Sequence, residues 1–391
     1  MTQAQAAPQP QAQRPLQPQP QPSPPGQAPS ERFSRLRECL ELLCPLPGVS
    51  GFEGPVRERV AQLIRPFVDR WETDPLGNLL AWRYGPDGPQ QPGPVVMLAA
   101  HMDEVGLVVS GFEGDGTLRV RPVGGLDPRV LVGKAVRVGA SRLAGVIGVR
   151  PIHLQKPEER RRAPEPEALV VDIGAAGREQ AEQAVQVGDP VVFEAPFLVL
   201  GERRVLAKAL DDRVGCCVLV ELLRERYPVT VVAAFTVQEE LGLRGAQVAA
   251  FRADPHLGLV LEGTVGADVA GVEPHHEVTR LGAGPALSVL DQASIASPPL
   301  VAALVRVAGR RGIPFQWRRT GAGGNDAGAI HVSRAGVPTA SVSVPCRYIH
   351  GPAAVCDLAD VEAAVELVQG FLQEEAAPLL QRWRRHGSEG G

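Results

Sequence analysis

The chain has 391 residues, 44% hydrophobic and 21% charged, a globular profile too long for one ordinary core and so read as two domains. A formal net charge of −4 gives no electrostatic pull towards nucleic acid or an anionic membrane. Apolar runs such as Val95 to Ala100 fall far short of the roughly 20 residues a spanning helix needs. The first residues also lack the basic-then-apolar order of a secretory signal, so a cytoplasmic location is expected.

Residues 1–31 are almost wholly Gln, Pro, Ala and Ser, too polar to offset the entropy of ordering, and are expected to be disordered. A helix follows, with Phe33, Leu36, Leu40 and Leu43 on one face, and a second places Val56, Val60, Leu63 and Ile64 together, with Ser50 or Glu53 near its start. Asp74 to Asn78 is a turn between short strands. The continuous apolar run from Val95 reads as a strand buried on both faces, and it delivers His101-Met102-Asp103-Glu104. From 110 to 197, short Val-rich runs alternate with Gly and Pro, the texture of a small β-barrel inserted into an α/β domain.

The α/β texture resumes from 198 to 385. Leu210-Asp211-Asp212-Arg213 opens a helix expected to run from Cys216 to Tyr227. A strand from Val229 to Val237 leads into Gln238-Glu239-Glu240, and a strand from Leu257 to Leu261 is expected to stop at Glu262. Gly323-Gly324-Asn325-Asp326 forms a loop, a strand ends near Arg347-Tyr348-Ile349-His350, and Leu358 to Leu372 is the last expected helix. Residues 386–391 are expected to fray. The fold class is therefore α/β, a mixed, mostly parallel sheet flanked by helices with an inserted barrel. None of the six cysteines forms a CxxC pair, so buried free thiols are expected.

In such a sheet functional groups gather beyond the carboxyl ends of the strands. His101, Glu239-Glu240, Glu262 and His350 all sit at expected strand ends, with Asp211-Asp212 at a helix start. Ionised groups leaving water need a cation or proton. Two divalent ions about 3.5–4 Å apart want a bridging carboxylate and further N/O ligands on each side. His101, His350, Glu240 and Glu262 with Asp211 as the bridge meet that count. Imidazole and carboxylate ligands suit zinc, cobalt or manganese. Glu239 is then placed as a general base, Asp103 as the acceptor that orients the His101 ring, and Asp212 as support for the backbone of Asp211. A dinuclear amidohydrolase acting on small amides, a carboxylate glycosidase and a shell protein with structural metals remain alternatives at this level.

These residues resemble the dinuclear metallo-aminopeptidases of the tetrahedral (TET) and glutamyl aminopeptidase kind, peptidase family M forty-two. The likeness spans roughly Leu36 to Leu372 and rests on Ser50-Gly51-Phe52-Glu53, Asp74 to Asn78, His101 to Gly106, Leu210 to Arg213, Gln238 to Gly242, Gly323 to Ala327 and Arg347 to His350. It implies removal of N-terminal residues from peptides, the metal ligands given above, Glu239 as the base, and a hydroxide bridging the two ions, zinc or cobalt. It also implies a cis peptide between Asp211 and Asp212, and homo-oligomers from dimer to dodecamer built through the inserted barrel. Substrate contacts are expected from Asn325, Asp326, Arg347 and Tyr348. Many relatives carry Asp at the position of Glu262 and Thr at that of Asn325.

Overall fold

The computed structural model describes residues 30–91, 93–319 and 323–388. The expectation for residues 1–31 therefore lies almost wholly outside them. Two helices, α1 (Glu31–Leu43) and α2 (Gly54–Ile64), lead into strands β1 (Arg70–Thr73), β2 (Leu79–Arg83) and β3 (Val95–His101). The insert holds β4 (Gly106–Phe112), β5 (Leu118–Val123), β6 (Ala135–Val138), β7 (Leu143–Gly148), β8 (Val170–Asp172), helix α3 (Arg178–Ala184) and β9 (Pro190–Phe193). Its strands close into a barrel in the order β4-β5-β8-β7-β6-β9. The barrel thus begins at Gly106, ahead of the expected boundary at 110, because the chain turns into it directly after Glu104.

After the barrel come β10 (Leu198–Leu200), β11 (Arg204–Ala207), α4 (Leu210–Leu222), β12 (Thr230–Thr236), α5 (Arg244–Ala253) and β13 (Leu257–Val265). The last third adds β14 (Ala286–Leu287), α6 (Pro298–Arg311), β15 (Gln316–Trp317), α7 (Ala327–Ile330), β16 (Thr339–Arg347), β17 (Ala354–Asp357), α8 (Leu358–Glu374) and α9 (Ala376–Ser388). The main sheet runs β1-β2-β12-β3-β13-β16-β17-β11-β10. Its centre, β12-β3-β13-β16, is parallel throughout, and its flanks are antiparallel. No helix of the described residues is long and apolar enough to cross a membrane.

The central strands are apolar on both faces because both faces are covered. Val96, Leu98 and Ala100 of β3 join a core with α1, α2, α4, α6 and α8, whereas Met97 and Ala99 pack towards α5 and α7. Burial of such side chains supplies roughly 25 cal/mol per Å² of apolar area removed from water. The barrel has a separate core around Leu107, Leu118, Val136, Ile147 and Val191. All six cysteines are free and buried.

Three elements depart from the sequence expectation. Helix α4 ends at Leu222 rather than Tyr227; the chain folds back there, and the Tyr227 hydroxyl donates to the Leu222 carbonyl (2.8 Å), satisfying an acceptor at the helix end. Strand β13 does not stop at Glu262 but runs to Val265, because its pairing with β16 continues to Val265↔Cys346. Helix α9 extends to Ser388, where fraying is expected from 386; Pro378 falls in its first turn, the one place a helix tolerates proline.

Candidate metal centre

The parallel register of the sheet assembles this site. Thr236 of β12 pairs with His101 at the end of β3, and Val260 of β13 pairs with Ala99. Beyond that pair β13 outruns β3, so Glu262 continues the register to the level of His101. The result is contact: His101 Nε2 lies 3.1 Å from Glu262 Oε1. His350 arrives three residues past β16, and Glu239 and Glu240 three and four past β12.

Asp211 enters from the opposite direction, at the start of α4. Asp211 and Asp212 both leave helical angles, and the peptide between them is cis. Asp212 is fully buried and accepts from His101 N (3.1 Å) and Gly215 N (2.9 Å), tying the start of α4 to the end of β3. Gly263 completes the seat. A Cβ there would lie 2.9 Å from Asp211 Oδ1, so only glycine lets this carboxylate approach β13.

Asp211 lies between the two imidazoles, with Oδ1 3.4 Å from His101 Nε2 and Oδ2 3.5 Å from His350 Nε2. Three groups of converging donors follow: His101, Asp211 and Glu262; Asp211, Glu240 and His350; and His101, Glu239 and Glu240. Glu240 Oε1 is 3.5 Å from His350 Nε2, and Glu239 Oε2 is 3.9 Å from His101 Nε2. The outer nitrogen of each ring is fixed elsewhere. His101 Nδ1 faces the Asp103 carbonyl (3.1 Å) and carboxylate (3.3 Å). His350 Nδ1 meets the carbonyl of Gly125 (2.9 Å), a residue of the barrel. Each Nε2 is thereby left directed at the carboxylates, the orientation a ligand needs.

The electrostatics agree with a cation at this place. Asp211 Oδ1 and Glu262 Oε2 are buried with no hydrogen bond, an arrangement costly for carboxylates unless something positive meets them. Burial pushes Glu239 and Glu262 well above the ordinary carboxylate range, and Glu240 up to about 7, reinforced for Glu240 by nearby Asp211. Asp211 moves down instead: burial raises it, but the imidazoles of His101 and His350 beside its two oxygens outweigh that. The donor set of two imidazoles and three carboxylates, with one carboxylate shared, fits a pair of hard or borderline divalent ions.

The carboxylates and His350 open onto a cleft of about 730 Å³ also lined by Thr264, Gln292, Arg318, Asn325 and Ser343. Of the expected substrate contacts, Asn325 lines this cleft, with Oδ1 accepting from Ala327 N and Ser341 Oγ. Asp326 is buried beneath it, accepts from Thr236 Oγ1 (2.6 Å), and is pushed up to about 6 by burial. Arg347 pairs with Asp268 (2.6 Å), and Tyr348 is exposed; neither is among the residues lining the cleft. Sequence reasoning overlooked Arg318, Gly125 and Gly263. The Gly124-Gly125 doublet was a signal for close backbone approach; Arg318 stood among other surface arginines and gave none.

The sequence pattern of the family described as M42 glutamyl aminopeptidase matches residues 77–367. The chain belongs to that family. It is therefore a hydrolase acting on peptide bonds, an aminopeptidase, which decides among the readings the sequence left open. An aminopeptidase of the archaeon Desulfurococcus kamchatkensis has a similar structure, with a TM-score of 0.85 at 37% identity, covering 90% of this chain and 98% of that one. For the TET1 peptidase of Pyrococcus horikoshii the TM-score is 0.76 at 34% identity, with 87% and 99% covered. The lysyl aminopeptidase of Pyrococcus furiosus is 33% identical over 351 residues, 86% of this chain and 96% of its own length.

Proposed function

We propose that this aminopeptidase works through two divalent ions, zinc or cobalt, held by His101 and Glu262 on one side and by Glu240 and His350 on the other. Asp211 is shared between them. The observation that carries this reading is the position of Asp211, within 3.5 Å of both imidazoles through different oxygens. When bound, such a pair polarises the scissile carbonyl and acidifies an attacking water.

The chain's own residues do the rest. Glu239 faces the cleft, and its raised proton affinity suits a base that takes the water's proton and returns it to the leaving amine. Asp103 and the Gly125 carbonyl hold the two rings in their ligating orientation. Glu239→Gln should keep the bound metal while lowering kcat by roughly 10²–10⁴-fold, the usual worth of a general base. Metal analysis beside rates on aminoacyl anilides reads both, and an active variant would end the assignment.

Self-association is proposed through the barrel. Ile152 and Leu154 on its surface are 59% and 70% exposed, as contact residues of an assembly would be when viewed in one subunit. The Pyrococcus horikoshii TET1 peptidase can assemble into a tetrahedron or a large octahedral shell. Light scattering on the purified protein gives the state directly.

A further inference from the structure

Four consecutive backbone N–H groups, from Val237 to Glu240, each end on a side chain brought from a distant loop. Val237 N donates to Asn78 Oδ1 (3.0 Å) and Gln238 N to Glu53 Oε1 (3.1 Å). Glu239 N and Glu240 N donate to the two oxygens of Asp103 (3.0 and 3.2 Å). A strand continuing straight from β12 would need none of these. Here the chain turns sharply at Gln238, whose φ of 54° lies in the left-handed region, a conformation disfavoured for a residue with a Cβ. The turn is therefore imposed from outside.

The acceptors are themselves braced. Asn78 Nδ2 donates to Asp74 Oδ2 (2.7 Å) and to the Gly245 carbonyl (3.0 Å), while Asp74 Oδ1 gathers the N–H groups of Leu76, Gly77 and Asn78. Ser50 Oγ donates to Asp103 (2.6 Å). Glu53 occupies the N-cap position of α2 but makes no side-chain cap bond to that helix. Its Oε1 instead accepts from Gly51 N (2.8 Å) and from Gln238 N. Three stretches with no ligand of their own, around Ser50 to Glu53, Asp74 to Asn78 and Asp103, thus converge on one short segment.

We propose that Glu53 and Asn78 are positioning residues for the reaction, forming with Asp103 a cradle that sets where the Glu239 carboxylate stands above the cleft. The proposal rests on Glu239 being the base. Misplacing a reacting group by about 1 Å can cost on the order of 10²-fold in rate, and freeing Gln238 releases the residue next to Glu239 in the chain.

The test is kinetic, on the full-length, metal-loaded protein. Glu53→Ala should lower kcat by about 10–100-fold with KM within about twofold of wild type. Glu53→Gln keeps an oxygen where Oε1 stands and should restore kcat to within about threefold. Glu53→Asp draws the acceptor back by one methylene and should fall between them, which keeps the comparison usable if the alanine variant does not fold. Combined with Glu239→Gln, Glu53→Asp should cost little more than Glu239→Gln alone, because residues acting as a unit are not additive. Wild-type kcat in both Glu53→Ala and Glu53→Asp would overturn the cradle, as would a Gln variant no better than Asp, or a full loss persisting in the Glu239→Gln background. If Glu239→Gln itself stays active, the underlying mechanism has failed instead, and the two failures are told apart.

Discussion

Gly263→Ala tests the geometry of the shared carboxylate without touching any proposed ligand. The new Cβ would lie 2.9 Å from Asp211 Oδ1, 3.0 Å from its Cα and 3.1 Å from its Cβ, where ordinary contact begins at 3.4 Å. One side must give by about half an ångström, at a cost typical of overpacking, about 1–3 kcal/mol. Gly263 is held in the β13–β16 ladder opposite Val344, while Asp211 sits at the non-helical start of α4, outside any sheet ladder. Asp211 should therefore be the group that moves. A shift of that size at a carboxylate shared by two ions should reduce kcat roughly tenfold or more and weaken metal retention. Turnover of an aminoacyl anilide, metal content after dialysis and a denaturant melt measure the three effects. Wild-type turnover together with full metal content would refute the reasoning, because Asp211 would then not be seated against β13 as described.

Losing His350 should empty one metal position, so His350→Ala is expected to halve the bound metal measured by elemental analysis. Protons compete with metal for these ligands. Burial pulls His350 down, but Asp211 and Glu240 outweigh it and push it up to about 9, while burial pushes Glu240 up to about 7. The proton on His350 must leave before Nε2 can ligate, so apparent metal affinity should fall as pH drops from about 9 through 7 and level off above; calorimetry across that window should show proton release on binding. Lys208 is buried and donates to both oxygens of Glu104 (2.6 and 2.8 Å) and to the Leu46 carbonyl (2.8 Å). Lys208→Met would leave Glu104 buried without that cation and should cost about 3–5 kcal/mol in denaturant unfolding. A loss below about 1 kcal/mol would mean that Arg213, 3.7 Å from Glu104, suffices alone.

The cluster of His101, Asp211, Glu240, Glu262 and His350 was legible as a converging group because each member stands where an apolar run gives way to a polar group, and parallel strands collect such points at one edge. Glu262 shows the limit of that logic: it was recognised for the wrong local reason, since β13 does not end there. What makes Glu262 available is the shorter ladder with β3, a pairing that the residues of β13 alone do not encode. Glu53 and Asn78 were invisible as site residues because what they grip is backbone, 185 and 159 positions away, and backbone amides leave no pattern in a sequence. Helix α9 went unassigned, since the last helix was expected to end at Leu372, because Pro378 and the arginines that follow obscure the apolar pair Leu379 and Leu380, both buried against the core.

The contact between His350 and the Gly125 carbonyl makes the barrel more than an attachment. One imidazole of the centre takes its orientation from a loop that belongs to the inserted strands. A chain from which residues 106–193 were cut away could keep the sheet and most donors, yet His350 would be free to spin. Any displacement of the barrel is then felt, through a single carbonyl, at the cluster of converging donors.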